Sequence, residues 1–222
     1  MLSFHARRFV GLCLSLLILT TVAGCMTGNS VPNLYDVKQR IIHYHNSGAY
    51  QNEVEDVVGR AIKHLHTYRQ KDGNFAVVLD VDETSLSNWP QLVDSNFCYT
   101  QAGWNAWVKE ADAPAIKPTL RLFNRSKEQG EAVFFVTGRD ENQRGPTEAN
   151  LEEAGYSGWE ALIMEETGKS YDSAADFKIR VRQRLSAQGY HIILNMGDQA
   201  SDLFGGYADK TFQLPNPFYR VP

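Results

Sequence analysis

Cysteine is scarce, with three in 222 residues, at positions 13, 25 and 98. So few exclude a disulfide framework as the source of stability. No block of basic residues occurs, and 22 Lys and Arg stand against 26 Asp and Glu for a net charge of -4. That balance offers no electrostatic footprint for a nucleic acid polymer. Internal repeats and low-complexity segments are also missing, while a hydrophobic content of 43% is ordinary globular usage. The length suits one domain with a sizeable core.

What the chain does have begins with an apolar run from Phe9 to Thr21 behind Arg7 and Arg8. It is short for a membrane span and has the build of a secretory signal. The string Val22-Ala23-Gly24-Cys25 follows and resembles a bacterial lipobox. That resemblance implies a signal peptide over 1–24, acyl chains on Cys25, a tether over 25–33 and a domain over 34–222. The expected location is therefore secreted and anchored to the cell envelope through Cys25. Met26 after the cysteine resembles the outer-membrane sorting pattern of Gram-negative lipoproteins. Cys98 is left as a lone thiol, expected to be buried.

Past the tether, Leu34, Val37, Ile41 and Tyr44 recur at helical spacing, and Val54, Val57, Val58, Ala61, Ile62 and Leu65 form a wider stripe. Four short apolar runs then read as buried strands: Phe75–Asp80, Ala132–Thr137, Ala161–Met164 and His191–Met196. Helical segments lie between them over about Thr119–Gln129, Pro146–Ala154 and Ala174–Gln188, each followed by a glycine stop at Gly130, Gly155 or Gly189. This alternation predicts an α/β fold, a Rossmann-like three-layer sandwich around a parallel sheet. Residues 34–72 and an insertion over 85–118 form a small, mostly helical accessory region. In the insertion Trp104, Trp107 and Ala111 have the spacing of a helix core, while Trp89, Tyr99 and Trp104 are candidates to contact substrate. Glu165 and Glu166 read as solvated surface.

The chemistry sits where the apolar runs end. The first ends in Asp80-Val-Asp82-Glu-Thr84, the second in Thr137-Gly138-Arg139-Asp140 and the last in Gly197-Asp198-Gln-Ala-Ser201-Asp202. In parallel sheets ligands bind at these carboxyl ends. Several carboxylates at one rim repel one another, and a hard divalent cation resolves the conflict; oxygen-only ligands favour Mg²⁺ over zinc. Thr137 with its glycine turn suits a phosphate, and Lys178 on the helix before the last strand is placed to reach the same rim.

Asp80-x-Asp82-x-Thr84, Thr137, Lys178 and Gly197-Asp198-x-x-x-Asp202 resemble, in order, the four motifs of the haloacid dehalogenase superfamily. The longer strings Val-Leu-Asp80-Val-Asp-Glu-Thr-Ser-Leu-Ser-Asn88 and Asn195-Met-Gly-Asp-Gln-Ala-Ser-Asp202 resemble its class C acid phosphatases, as do Val136-Thr-Gly-Arg139 and Thr147-x-x-Asn150. Leu92 and the Ala200-Ser201-Asp202-Leu203 ending depart from that class. The resemblance implies a phosphomonoesterase with small-molecule substrates, nucleoside monophosphates among them. Asp80 would be the nucleophile and Asp82 the acid/base. Mg²⁺ would be held by Asp80, Asp198 and the backbone carbonyl of Asp82. Thr137 and Lys178 would hold the transferring oxygens, with Asp202 and Arg139 supporting. Two alternatives stay open: a phosphotransferase using an alcohol or nucleoside acceptor, and a non-catalytic surface lipoprotein.

Overall fold

The computed structural model describes residues 31–68, 72–169, 171 and 173–221. Helices α1 (Leu34–Asn46) and α2 (Ala49–Leu65) come first, hinged at Gly48 in the left-handed region. The stripe Val54, Val57, Val58, Ala61 and Leu65 buries one side of α2, as its spacing requires. Strand β1 (Phe75–Leu79) leads into the insertion, which carries α3 (Trp89–Asp94) and α4 (Gln101–Glu110). The rest alternates: α5 (Lys117–Gln129), β2 (Ala132–Asp140), α6 (Arg144–Glu153), β3 (Ala161–Glu165), α7 (Ala174–Ala187), β4 (His191–Gly197), α8 (Ala200–Leu203) and β5 (Thr211–Gln213). Gly130, Gly155 and Gly189 follow α5, α6 and α7 at φ of 88°, 98° and 91°, where a side chain is disfavoured.

The strands pair in the order β3-β2-β1-β4-β5, all parallel. Alternate side chains of β1 serve the two faces. Val77 and Leu79 pack with Leu65 of α2, Leu122 of α5 and Leu151 of α6. Ala76 and Val78 pack with Phe177, Val181 and Leu185 of α7. Leu79, Leu122 and Phe135 are fully enclosed, each contributing on the order of 2 kcal/mol through lost apolar surface. Leu79, the last residue of β1, lies level with Phe135 of β2 and Met196 of β4. That register sets Asp80, Thr137 and Asp198 along one rim.

Four of the five strands and helices α5, α6 and α7 match the sequence reading, while the single turn of α8 was not foreseen. Strand β5 was not foreseen: it has three residues, of which only Phe212 is buried, too short to show a period. Cys98 is exposed rather than buried, because it stands in the loop between α3 and α4. The helix-core reading holds for Trp107, which packs partly buried against the main core, and is corrected for Trp104 and Ala111. Val108 is the buried residue of α4, the two tryptophans are half-buried, and Ala111 is a left-handed cap at φ 55°.

Candidate active site

Asp80, Asp198 and Asp202 bring carboxylate oxygens within 4.8 Å of one another, and all three residues are buried. Lys178, reaching in from α7, donates from Nζ to Asp80 Oδ1 at 2.6 Å and to Asp202 Oδ1 at 2.5 Å. Burial works to strip the Lys178 proton, but Asp80 and Asp202 outweigh it and hold the ammonium charged. Burial pushes the Asp80 carboxyl well above the usual range; Lys178 opposes this, and Asp202, Asp198 and Asp82 add to it. Asp198 is pushed up to about 7, again by burial first and Asp202 second. One ammonium facing three buried carboxylates leaves negative charge uncompensated. An all-oxygen donor set of this kind fits a hard divalent cation.

The Asp198–Asp202 turn is built by close approach. A Cβ on Gly197 would overlap Asp202, so only glycine lets that carboxylate fold back. The backbone N–H of Gln199 donates to Asp202 Oδ2 at 2.8 Å as part of a capping box on α8. Asp198 Oδ2 accepts from Gln199 Nε2 at 2.5 Å and Asn216 Nδ2 at 2.6 Å. Beneath them lies the enclosed guanidinium of Arg182. It donates to the carbonyls of Asp202 (2.7 Å), Gly206 (3.0 Å) and Phe204.

Asp82 lies apart from this cluster, and its carboxylate is not one of the three converging groups. It accepts from Arg139 Nη2 at 2.7 Å and Nε at 3.1 and 3.2 Å, and from Asn88 Nδ2 at 2.9 Å. Burial would raise its pKa, yet Arg139 and Asn88 more than offset this and lower it. Arg139 also donates to Thr147 Oγ1 at 3.1 Å and lies 5.4 Å from the ring centroid of Trp104. Thr137 is fully buried, and its hydroxyl oxygen accepts from the Arg139 N–H at 3.2 Å.

Glu83 was missed in the sequence. It adopts φ 52°, turns inward and is 1% exposed, accepting from Asn88 and from the Tyr219 hydroxyl. Burial foremost, then Asp82, pushes its carboxyl up to about 7. Asn216 and Tyr219, from the segment after β5, likewise carried no sequence signal. Gln199 stood inside a quoted motif without a role.

A cleft of about 1250 Å³ opens over these groups, with Phe97, Tyr99, Trp104 and Phe218 in its walls. Tyr99 is 70% exposed. Trp89 is not in the wall; it stacks on His45 at 3.7 Å between centroids and 10° between planes. Glu165 also faces the cleft and is only partly exposed, so the solvated-surface reading is corrected there.

A family model for the HAD superfamily, subfamily IIIB (acid phosphatase), matches residues 25–222. Acid phosphatase 1 of Solanum lycopersicum is 35% identical over 154 residues, covering 68% of this chain and 60% of that protein. The stem 28 kDa glycoprotein of Glycine max is 37% identical over 150 residues, covering 65% and 59%. The chain thus spans about three fifths of the length of these relatives. Among solved structures, the class C acid phosphatase from Bacillus anthracis superposes with a TM-score of 0.69 at 22% identity, covering 83% of this chain and 86% of that one. That likeness carries the fold.

The expected location needs correction. Relatives named as plant stem glycoproteins, vegetative storage proteins and an acid phosphatase do not favour a bacterial outer-membrane lipoprotein. The lipid anchor expected at Cys25, with the signal and most of the tether, falls outside the described residues, among which no helix is long and apolar enough to cross a membrane. Ordered motifs, buried acidic cluster and family match agree: the chain belongs to the HAD superfamily, subfamily IIIB, the acid phosphatases.

Proposed function

We propose that residues 34–222 form a Mg²⁺-dependent phosphomonoesterase domain that works through a phosphorylated Asp80, with residues 34–72 and 85–118 as its accessory region. The observation that carries this reading is the contrast within one motif. Asp80 belongs to the cluster around Lys178, while Asp82 is held clear of it by Arg139. A nucleophile needs positive charge beside the point of attack, and an acid/base needs an oxygen standing clear of that cluster, where it can meet the leaving group.

The carboxylates of Asp80 and Asp198 and the backbone carbonyl of Asp82 would hold the cation, which neutralises charge on the transferring group. In the first half-reaction an Asp80 oxygen attacks phosphorus. The bond from phosphorus to the substrate oxygen breaks, and Asp82 gives that oxygen its proton. In the second, Asp82 takes a proton from the attacking water, the bond to Asp80 breaks, and inorganic phosphate leaves with Asp80 restored. Lys178 and Thr137 hold the equatorial oxygens, and Asp202 fixes Lys178. Tyr99 and Trp104 face the leaving group across the cleft. The cleft's size also leaves room for an alcohol in place of water, which favours phosphotransfer as a second outcome.

The test is phosphate release from aryl and alkyl phosphates. EDTA should abolish it and Mg²⁺ restore it, and Asp80→Asn should lower turnover by about 10³-fold or more without loss of fold. Appreciable turnover by that variant removes Asp80 from the role. Adding an alcohol acceptor and analysing the phosphorylated products separates hydrolysis from transfer.

A further inference from the structure

Helix α4 reaches both groups that hold Asp82. Trp104 lies against Arg139, and one turn later Trp107 donates from Nε1 to Asn88 Oδ1 at 2.7 Å. Asn88 is 1% exposed and donates from Nδ2 to Asp82 Oδ1 at 2.9 Å and to Glu83 Oε2 at 3.0 Å. A buried primary amide has two possible orientations, differing by exchange of its oxygen and nitrogen. An indole N–H can only donate, and an ionised carboxylate can only accept. With Trp107 on one side and Asp82 on the other, a single orientation satisfies both: oxygen toward the indole, NH₂ toward the acid. The reverse would set oxygen against carboxylate and leave the indole N–H without an acceptor, at a cost of roughly 1–3 kcal/mol for each unsatisfied group.

The two oxygens of Asp82 are therefore unlike. Oδ1 receives Arg139 Nη2, Arg139 Nε and Asn88 Nδ2, whereas Oδ2 receives only Arg139 Nε, at 3.1 Å. Oδ1 is saturated, and Oδ2 keeps a lone pair for a proton. We propose that Trp107, acting through Asn88, is a positioning residue that commits Oδ2 of Asp82 to the proton transfer. This rests on the reading of Asp82 as acid/base and adds to it which oxygen is used and what selects it. Phosphorylation and hydrolysis proceed as above; only the orientation of the donor is specified. The tryptophan thus links the accessory helix to the chemistry without touching substrate.

The experiment compares kcat/KM for an aryl phosphate whose leaving group departs readily as an anion with kcat/KM for an alkyl phosphate whose leaving group needs a proton. Trp107→Phe keeps the ring and loses the donor. It should lower kcat/KM, which reports the steps up to release of the leaving group, about 10-fold on the alkyl ester and less than about twofold on the aryl ester. Asn88→Leu should show the same selective loss, and the double variant should lose no more than Asn88→Leu alone, since the two act in series. Equal losses on both esters from Trp107→Phe, or additive losses in the double variant, overturn the proposal and leave Trp107 as packing. Asp82→Asn serves as the reference. If it too lowers kcat/KM for both esters equally, the reading of Asp82 as the acid fails and the proposal with it, a failure distinct from one seen in the tryptophan variant alone. Should Trp107→Phe prove unfolded by circular dichroism, the Asn88→Leu comparison decides by the same criterion.

Discussion

Asp80 and Asp82 are two residues apart and follow one strand, the first buried and the second with its side chain 20% exposed, yet their carboxyls are driven in opposite directions. Burial dominates at Asp80, where a single ammonium is shared with Asp202, and a third acid, Asp198, lies close by. At Asp82 a guanidinium and an amide serve one acid, and ionisation is favoured. Sequence distance therefore says little about protonation. What separates the two is which way the pleat and the following turn point each side chain, and how many positive groups wait there.

The sharpest way to break this contrast is to remove Arg139. Arg139→Met leaves Asp82, only partly open to the cleft, with Asn88 as its remaining donor in the clamp. Urea unfolding should show a loss of about 3–5 kcal/mol, because one half of a buried pair is left without its partner. Stability unchanged within error would mean the pair is dispensable.

A smaller effect is expected from pH. In the metal-free protein Glu83 and Asp198 sit at about 7, above their ordinary values of 4.5 and 3.8. The folded state then holds more protons than the unfolded chain between those limits. The stability these groups add is full below about 4 and is lost as pH rises through about 7. In EDTA the melting temperature should therefore fall by roughly 5 °C between pH 5 and pH 8. Saturating Mg²⁺ should restore much of this at pH 8 by keeping Asp198 ionised and compensated. A melting temperature that rises with pH in EDTA would contradict the burial argument for both acids.

The smallest change comes from the wall of the cleft. Trp104→Leu removes the ring beside Arg139, which is worth about 1 kcal/mol in unfolding free energy. KM for an aryl phosphate should rise a few-fold while KM for an alkyl phosphate stays put. A matching rise for both esters removes Trp104 from contact with the leaving group.

Much of this arrangement could be read in advance. Asp80, Asp82, Thr137, Lys178, Asp198 and Asp202 follow apolar runs or sit on an evident helix, and parallel pairing puts strand ends on one side. What stayed hidden depends on long-range geometry. Glu83 reads as an ordinary turn acid until Tyr219, 136 residues later, closes over it. Asn88 and Trp107 are neutral residues 19 apart whose value lies only in the bond between them. Trp89 and Cys98 show the reverse failure, where composition suggested a wall residue and a core thiol while the fold placed one under His45 and the other in solvent.

Arg182 makes its bonds in the turn after α8 to main-chain oxygens alone, so the side chains of that turn are not what it recognises. Phe204, 64% exposed, is thereby free to be replaced without loosening the grip, whereas Gly205 is not, since a Cβ there would run into Ile179. An engineer wishing to attach a dye or a linker near the catalytic rim would find a tolerant handle at Phe204, one step from a position that accepts nothing.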